Sequence, residues 1–180
     1  MALKPTIHKF TISLSDLDRE HYDSLSLTVA QHPSESPERM MVRVLAFCIN
    51  AQDRLAFTKG LSETEEPDLW VKSLDDQIDL WIDVGEPGLD RLKKATRQSR
   101  LTRVYSFNSK SPTWWDQLQL RRSKLAVDVF QFDWAAIQNL ANLLERTMTM
   151  SVTITGDSAY IATERGECEV DWVALNDWND

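Results

Sequence analysis

The sequence has few of the residues on which disulfide-stapled, zinc-bound or phosphate-loop proteins depend. Its 180 residues include two cysteines, five glycines and three histidines. Cys48 and Cys168 lie far apart and form no C-x-x-C pair, which excludes a disulfide scaffold and a zinc cage. The glycines form neither a G-x-x-x-x-G-K-[ST] loop nor a G-x-S-x-G elbow, so the nucleotide-binding and hydrolase classes that need those motifs are also excluded.

Long apolar segments are missing as well. The longest apolar run, residues 40–49, is interrupted by Arg43 and is too short to cross a bilayer. The first ten residues, MALKPTIHKF, contain no basic region followed by an apolar stretch, so we expect no secretory leader. These features predict a cytoplasmic protein that does not contact a membrane.

Length and patterning favour one α/β domain over residues 1–180. A chain of this length buries roughly 70% of its unfolded surface and needs no covalent staple. Ser36, followed by Pro37 and Glu38, predicts a helix start, and Asp133 predicts another. Helices are predicted over residues 37–52, 88–99 and 133–146. Strands are predicted over residues 6–14, 25–30, 55–60, 68–73, 78–85, 101–107, 125–132, 147–155 and 159–163, with a last short run near 169–175.

The net charge of −8 is the sum of segments with opposite charge. Residues 63–90, called the acidic segment, contain ten acidic residues and one lysine. Residues 91–124, called the basic segment, contain ten basic residues and one aspartate. An acidic protein is not expected to bind nucleic acid over its whole surface, but a local basic face beside a group of carboxylates is compatible with such binding.

Several carboxylates are predicted to converge. Asp79 and Asp83 lie on one face of a predicted strand, and Asp68 begins the strand before it. Glu38 is expected on the inward side of the first helix, away from that helix's two arginines. Converging carboxylates repel one another unless a cation lies between them, and oxygen ligands of this kind suit Mg²⁺ or Mn²⁺. A second interpretation is that Asp79 and Asp83 pair with nearby lysines or arginines and hold no ligand.

The basic segment would supply the remaining groups of a site that hydrolyses phosphodiesters. On a helical wheel, Lys93, Arg97 and Arg100 flank the apolar stripe of the second predicted helix. Lys93 is expected near the carboxylates, where it would orient water or stabilise developing charge while the metal polarises the phosphate. Arg97, Arg100 and Arg103 are expected to contact the phosphates of nucleic acid.

The order helix, three strands, helix, strand resembles the αβββαβ core of the PD-(D/E)XK nuclease superfamily. Pro67-Asp68 matches the PD of that motif, Asp83 matches its second acid, and Glu38 matches the helix glutamate that some members add. Gly85 stands where the lysine of the motif belongs, and Lys93 is the corresponding candidate on the following helix. The resemblance implies catalytic roles for Asp68, Asp83, Lys93 and Glu38, and metal-binding roles for Asp68 and Asp83. Asp79, on the same strand face as Asp83, is predicted from its position to assist in binding the metal.

Eight stretches between residue 1 and about residue 150 carry a closer resemblance, to the YaeQ family of bacterial proteins. They are MALKPTIHKF, HPSESPERMM, RLAFTKGLS, EPDLW, IDLWIDVGEP, RLKKA, YSFNS and RTMTM. This resemblance implies a variant PD-(D/E)XK fold, resembling that of restriction endonucleases, with extra strands at both ends. It implies no particular activity, because the family is generally described as uncharacterised.

Two functions therefore stay open. The first is metal-dependent hydrolysis of nucleic acid. The alternative is an inactive, nuclease-like module that binds nucleic acid or a component of the transcription machinery through the basic segment. The adjacent residues Trp114 and Trp115 fit either stacking on bases or packing in the core.

Overall fold

The computed structural model describes residues 4–59, 63–119 and 125–179. In these ranges the chain is a mixed α/β protein with four helices and ten strands. The helices are α1 (Pro37–Ile49), α2 (Leu89–Gln98), α3 (Ser111–Gln119) and α4 (Trp134–Asn142). The strands are β1 (Thr6–Asp16), β2 (His21–Gln31), β3 (Leu55–Phe57), β4 (Leu69–Lys72), β5 (Ile78–Val84), β6 (Ser99–Ser106), β7 (Asp128–Phe132), β8 (Thr147–Thr155), β9 (Ser158–Thr163) and β10 (Gly166–Asn176). None of the four helices is long and apolar enough to span a membrane.

The described residues cluster into two compact units. Unit 1 comprises Met1–Ile49 and Asp133–Trp172, and unit 2 comprises Asn50–Phe132 and Val173–Asp180. Strand β10 therefore begins in unit 1 and ends in unit 2. The assignment of residues 1–180 to a single domain stays a prediction.

The sheet of unit 1 has the strand order β2-β1-β8-β9-β10. Strands β1 and β2 form an antiparallel hairpin, with eleven residue pairs in register, and β1 pairs in parallel with β8. Alternate residues of β1, including Phe10, Ile12 and Leu14, are buried, because successive side chains of a strand point to opposite faces. Helix α1 starts after Ser36, whose Oγ accepts a hydrogen bond from the Arg39 N–H at 3.1 Å.

A buried ion-pair network in unit 1 corrects one expectation about α1. The sequence predicts both arginines of α1 on its outward side, yet Arg43 is only 4% exposed. Its guanidinium donates two hydrogen bonds to Glu35, at 2.9 and 2.6 Å, and one to the Ala30 carbonyl at 2.9 Å. Arg39 donates to the same carboxylate at 2.7 Å. Arg43 is buried because Glu35 neutralises its charge. Glu38, which the sequence places on the inward side of α1, is only half-buried.

The sheet of unit 2 has the strand order β7-β6-β5-β4-β3. Strands β3, β4 and β5, which correspond to three predicted strands, form an antiparallel meander. Helix α2 then connects β5 to β6, and these two strands are parallel. A helix is the usual connection between parallel strands. Strand β5 is buried from Leu80 to Val84, so any polar group at its end is held away from bulk water.

Helix α3 corrects a second expectation. The sequence predicts a polar connection around Trp114 and Trp115, and the structure has a nine-residue helix there. Trp115 and Leu118, three positions apart, are buried against a cluster that includes Leu92, whereas Trp114 is half-buried. The helix forms because this short apolar stripe has a hydrophobic surface to cover, which is information from outside the segment.

Candidate functional site

Asp68 and Asp83 lie at neighbouring strand ends in unit 2. Leu69 of β4 is paired with Ile82 of β5, which brings Asp68 beside the end of β5. The Asp68 N–H donates to the Ile82 carbonyl at 3.0 Å, and Asp68 Oδ2 accepts from the Val84 N–H at 2.7 Å. Asp68 and Asp83 are only 4% and 2% exposed. The antiparallel pairing of β4 with β5 thus brings these two carboxylates of the acidic segment to neighbouring strand ends.

The cation that contacts Asp83 is Arg91, from the first turn of α2. Arg91 Nε donates to Asp83 Oδ2 at 2.9 Å, and Nη2 donates to Oδ1 at 3.0 Å. The same guanidinium donates to the Glu66 carbonyl at 2.8 Å and lies 5.8 Å from the ring centroid of Trp81. A bidentate pair of this kind fixes the orientation of both groups as well as neutralising charge. Arg91 thus ties α2 to β5 and to the chain that leads into Asp68.

The Asp83 carboxyl has a raised pKa. Burial is the largest cause, because the charged form loses its solvation. The hydrogen bonds and the charge of Arg91 lower the pKa, and the nearby charge of Asp68 raises it. The guanidinium therefore offsets only part of the cost of burying the Asp83 charge beside a second carboxylate.

Three other predicted site residues, Asp79, Arg100 and Arg103, have polar partners within unit 2. The carboxylate of Asp79 forms an ion pair with Arg100, with 3.5 Å between Oδ1 and Nε, and the Arg100 side chain is 80% exposed. Arg103 donates a hydrogen bond to the Asn50 side chain, and its Nε lies 3.7 Å from Asp128 Oδ2. The contacts of Arg103 are thus with the protein itself, and its role toward nucleic acid stays a prediction.

Lys93 and Arg97 differ from the other basic residues of α2 and β6. Neither has an acidic partner among residues 4–59, 63–119 and 125–179. The four others each have one: Arg91 pairs with Asp83, Lys94 with Glu65, Arg100 with Asp79 and Arg103 with Asp128. In the same ranges, no hydrogen bond or ion pair joins Lys93 to Asp68 or Asp83. Glu38 belongs to α1 of unit 1, and its catalytic role, like that of Lys93, stays a prediction.

The groups around Asp83 do not fit a divalent cation as they are arranged. Both Asp83 oxygens accept hydrogen bonds from Arg91, and one Asp68 oxygen accepts from a backbone N–H. Mg²⁺ is usually held by one or two carboxylates whose oxygens face it directly. In the part of the chain that the structure describes, no three His, Cys, Asp or Glu side chains are grouped to hold a metal ion. The binding of Mg²⁺ or Mn²⁺ stays a prediction that this geometry does not support.

Arg91, the partner of Asp83, and Glu35, the partner of Arg43, are residues that the sequence interpretation misses. Arg91 follows Asp83 by eight residues, at the start of the helix that returns along β5. Two buried carboxylates on adjacent strands need a cation, because each raises the pKa of the other. Arg91 is the first basic residue of the helix that follows Asp83. The need for a cation together with this position would have predicted that Arg91 pairs with Asp83.

Together these features define the class of protein: a mixed α/β chain with a buried carboxylate–arginine cluster beside a basic helix face. The chain belongs to the YaeQ family, because the family model described as "YaeQ protein" matches residues 1–172. It is 38% identical over 176 residues to the "Uncharacterized protein YaeQ" of Salmonella typhi and to that of Escherichia coli K12. Each alignment covers 97% of this chain and 97% of the relative. The family resemblance found in the sequence is confirmed.

Two crystal structures have a similar fold. The YaeQ protein from Xanthomonas axonopodis pv. citri has a TM-score of 0.87 and 36% sequence identity, covering 94% of this chain and 97% of that one. The YaeQ protein from Pseudomonas syringae has a TM-score of 0.91 and 36% identity, covering 96% of this chain and 97% of that one. The mixed α/β architecture is therefore shared with solved YaeQ proteins.

Proposed function

We propose that this protein binds the phosphate backbone of nucleic acid through α2 and does not cleave it. The observation that carries the proposal is that Lys93 and Arg97 have no acidic partner in the described ranges. In a protein with a net charge of −8, acidic residues are abundant, and the neighbouring bases all have partners. Two unneutralised cations one helical turn apart suit successive phosphates, whose contacts position a nucleic acid without reading its sequence.

The Arg91–Asp83 pair supports a non-catalytic role. Metal-dependent hydrolysis needs a cation that polarises the phosphate and activates water. Here a guanidinium engages both oxygens of the carboxylate that would hold such a cation. The proposal retains the interpretation that α1, β3 to β5, α2 and β6 correspond to a nuclease-like αβββαβ core, for which the order of elements is the support.

The salt dependence of binding tests this proposal. Binding is measured by fluorescence anisotropy with a labelled single strand of about 20 nucleotides and with its duplex. Two phosphate contacts contribute about 1.4 to the slope of log K against log salt for a single strand, and about 1.8 for a duplex. The double variant Lys93→Ala/Arg97→Ala is expected to lose that part of the slope and to bind more weakly at low salt.

Lys94→Ala is the matched control. This variant also removes a positive charge from α2, but that charge is paired with Glu65. The slope of log K against log salt for Lys94→Ala is therefore expected to match that of the wild type. A double variant that keeps the wild-type slope would refute the proposal, as would a wild-type protein that binds neither ligand.

Metal-dependent phosphodiester hydrolysis is the second candidate function. The observation that favours it is the close approach of Asp68 and Asp83, which is near enough for the Asp68 charge to raise the pKa of Asp83. Its test is incubation with circular plasmid, single-stranded DNA and RNA in Mg²⁺ or Mn²⁺. Cleavage by the wild type that is lost in Asp83→Ala would overturn the non-catalytic proposal, whereas no cleavage, or cleavage that persists in that variant, would exclude hydrolysis at this site.

A further inference from the structure

A pocket in unit 2 opens between the start of α2 and α3. It has a volume of about 180 Å³ and is lined by Gly88, Leu89, Trp114, Gln117 and Leu118. Its walls are thus mainly aromatic and aliphatic, with one carboxamide. Gln117 is exposed and Trp114 is half-buried, so both side chains are accessible from the solvent.

The two adjacent tryptophans have different environments in this region. Trp115 is 3% exposed and belongs to the core cluster, whereas Trp114 packs against that cluster from outside and lines the pocket. Their ring centroids are 5.7 Å apart, with an angle of 51° between the ring planes. Trp115 therefore supports Trp114 from the core side, which limits the orientations that the Trp114 ring can adopt.

The unpaired cations of α2 continue from this pocket along the helix. Leu89, Lys93 and Arg97 are spaced four residues apart, and residues with this spacing are neighbours on a helix surface, with about 5–6 Å between their Cβ atoms. Leu89 lines the pocket, so Lys93 lies one turn beyond it and Arg97 one turn further. The positive charge that has no acidic partner in the described ranges thus begins at the rim of an aromatic pocket.

We propose that this pocket holds one unpaired nucleobase of a single-stranded nucleic acid, stacked on Trp114, while the adjoining phosphates contact Lys93 and Arg97. This inference rests on the proposed function and deepens it by naming single strands as the preferred ligand. Aromatic side chains beside a positive groove are how many proteins bind single strands without sequence preference. A base inside a duplex does not fit, because its neighbours cover both of its faces. The Gln117 carboxamide can both donate to and accept from the edge of the bound base.

The test compares three ligands of equal length that carry the same fluorophore. They are an oligothymidine single strand, an abasic single strand with the same phosphates, and a duplex. The wild type is expected to bind the oligothymidine more tightly than the abasic strand. Trp114→Ala is expected to weaken oligothymidine binding by roughly 5- to 150-fold and to leave the other two affinities unchanged, whereas Trp114→Phe retains most of the binding.

The outcomes separate this proposal from the function on which it rests. Equal wild-type affinity for the thymidine and abasic strands, with binding of both lost in Lys93→Ala/Arg97→Ala, overturns the pocket proposal and leaves backbone binding in place. A wild-type protein that binds none of the three ligands overturns both, including the case in which α2 serves a protein partner.

Photo-crosslinking keeps the proposal testable if Trp114→Ala fails to fold. The wild-type protein is irradiated with an oligonucleotide that contains 5-bromodeoxyuridine, and the adduct is located by mass spectrometry. An adduct on Trp114 supports the pocket as the base-binding site. Adducts confined to other residues, or none in the presence of demonstrated binding, overturn it.

Discussion

Replacing Arg91 with alanine removes the cation from a buried carboxylate pair. Asp83 is 2% exposed in the wild type, and in the variant it loses both hydrogen bonds from the guanidinium. Asp68 remains close enough to repel it. The Glu66 carbonyl also loses its donor, so one link between α2 and the chain before β4 is lost, and the ion pair between Lys94 and Glu65 remains.

The expected destabilisation is about 3 kcal/mol near pH 7. Removing one partner of a buried ion pair costs about 3–5 kcal/mol, because it leaves an uncompensated charge. The Arg91 side chain is 33% exposed, so water reaches the vacated space, and we expect the lower end of that range. In a protein of this size, 1 kcal/mol lowers the Tm by about 2–4 °C, which gives an expected decrease of about 6–12 °C.

The loss of stability caused by Arg91→Ala is also expected to depend on pH, and to be larger at high pH than at low pH. Burial already raises the pKa of Asp83 in the folded state, and loss of Arg91 raises it further. In the window between the unfolded pKa of about 3.9 and this higher folded pKa, the folded variant binds a proton that the unfolded chain does not. The penalty is therefore complete above the folded pKa and decreases as the pH falls through it.

Urea unfolding followed by tryptophan fluorescence, over a series of pH values from about 7.5 down to the acid limit of folding, measures both effects. Lys94→Ala is the control for loss of a partly exposed positive charge and is expected to cost less than about 1 kcal/mol. The double variant Arg91→Ala/Asp83→Asn is expected to recover part of the lost stability, because its amide carries no charge. A cost that is no larger than that of Lys94→Ala, or that does not decrease anywhere in the series as the pH falls, would refute the reasoning.

Three further predictions concern unit 1. Glu35→Gln removes the carboxylate that pairs with Arg39 and Arg43 and is expected to lower the free energy of unfolding, measured in urea, by about 3 kcal/mol. The control Glu38→Gln is expected to lower it by less than about 0.5 kcal/mol. Equal losses in the two variants would contradict the role of the buried network. Burial raises the pKa of Cys48 to about 12. Iodoacetamide near pH 8 is therefore expected to alkylate the half-buried Cys168 first, which mass spectrometry of the labelled protein measures. Equal labelling of the two cysteines would contradict this expectation. Asp133→Ala removes the side chain that caps α4 and is expected to cost about 1 kcal/mol; an unchanged unfolding midpoint would contradict it.

The sequence by itself determined the features that depend on local pattern. The alternation in β1 and β2 predicts their hairpin, and the apolar run after Ser36 predicts an almost entirely buried helix, because residue periodicity decides which face of an element is covered. The succession of two short strands predicts that Asp68 and Asp83 converge, and the observed pairing of β4 with β5 places Asp68 beside the end of β5. Membership of the YaeQ family is likewise readable from motifs along the chain.

The tertiary structure decided which charges are neutralised and which are left for a ligand. Arg91 reaches Asp83 and Arg43 reaches Glu35 only after helices and strands pack, since the cost of burying a charge depends on partners that lie elsewhere in the chain. Packing also separates Trp115, in the core, from Trp114, at a pocket, although the two are adjacent in sequence. A count of charges predicts a basic segment. Only the folded arrangement distinguishes Lys93 and Arg97 from their paired neighbours, because ion pairing depends on the distance between charged groups. These two residues have no acidic partner among the described residues.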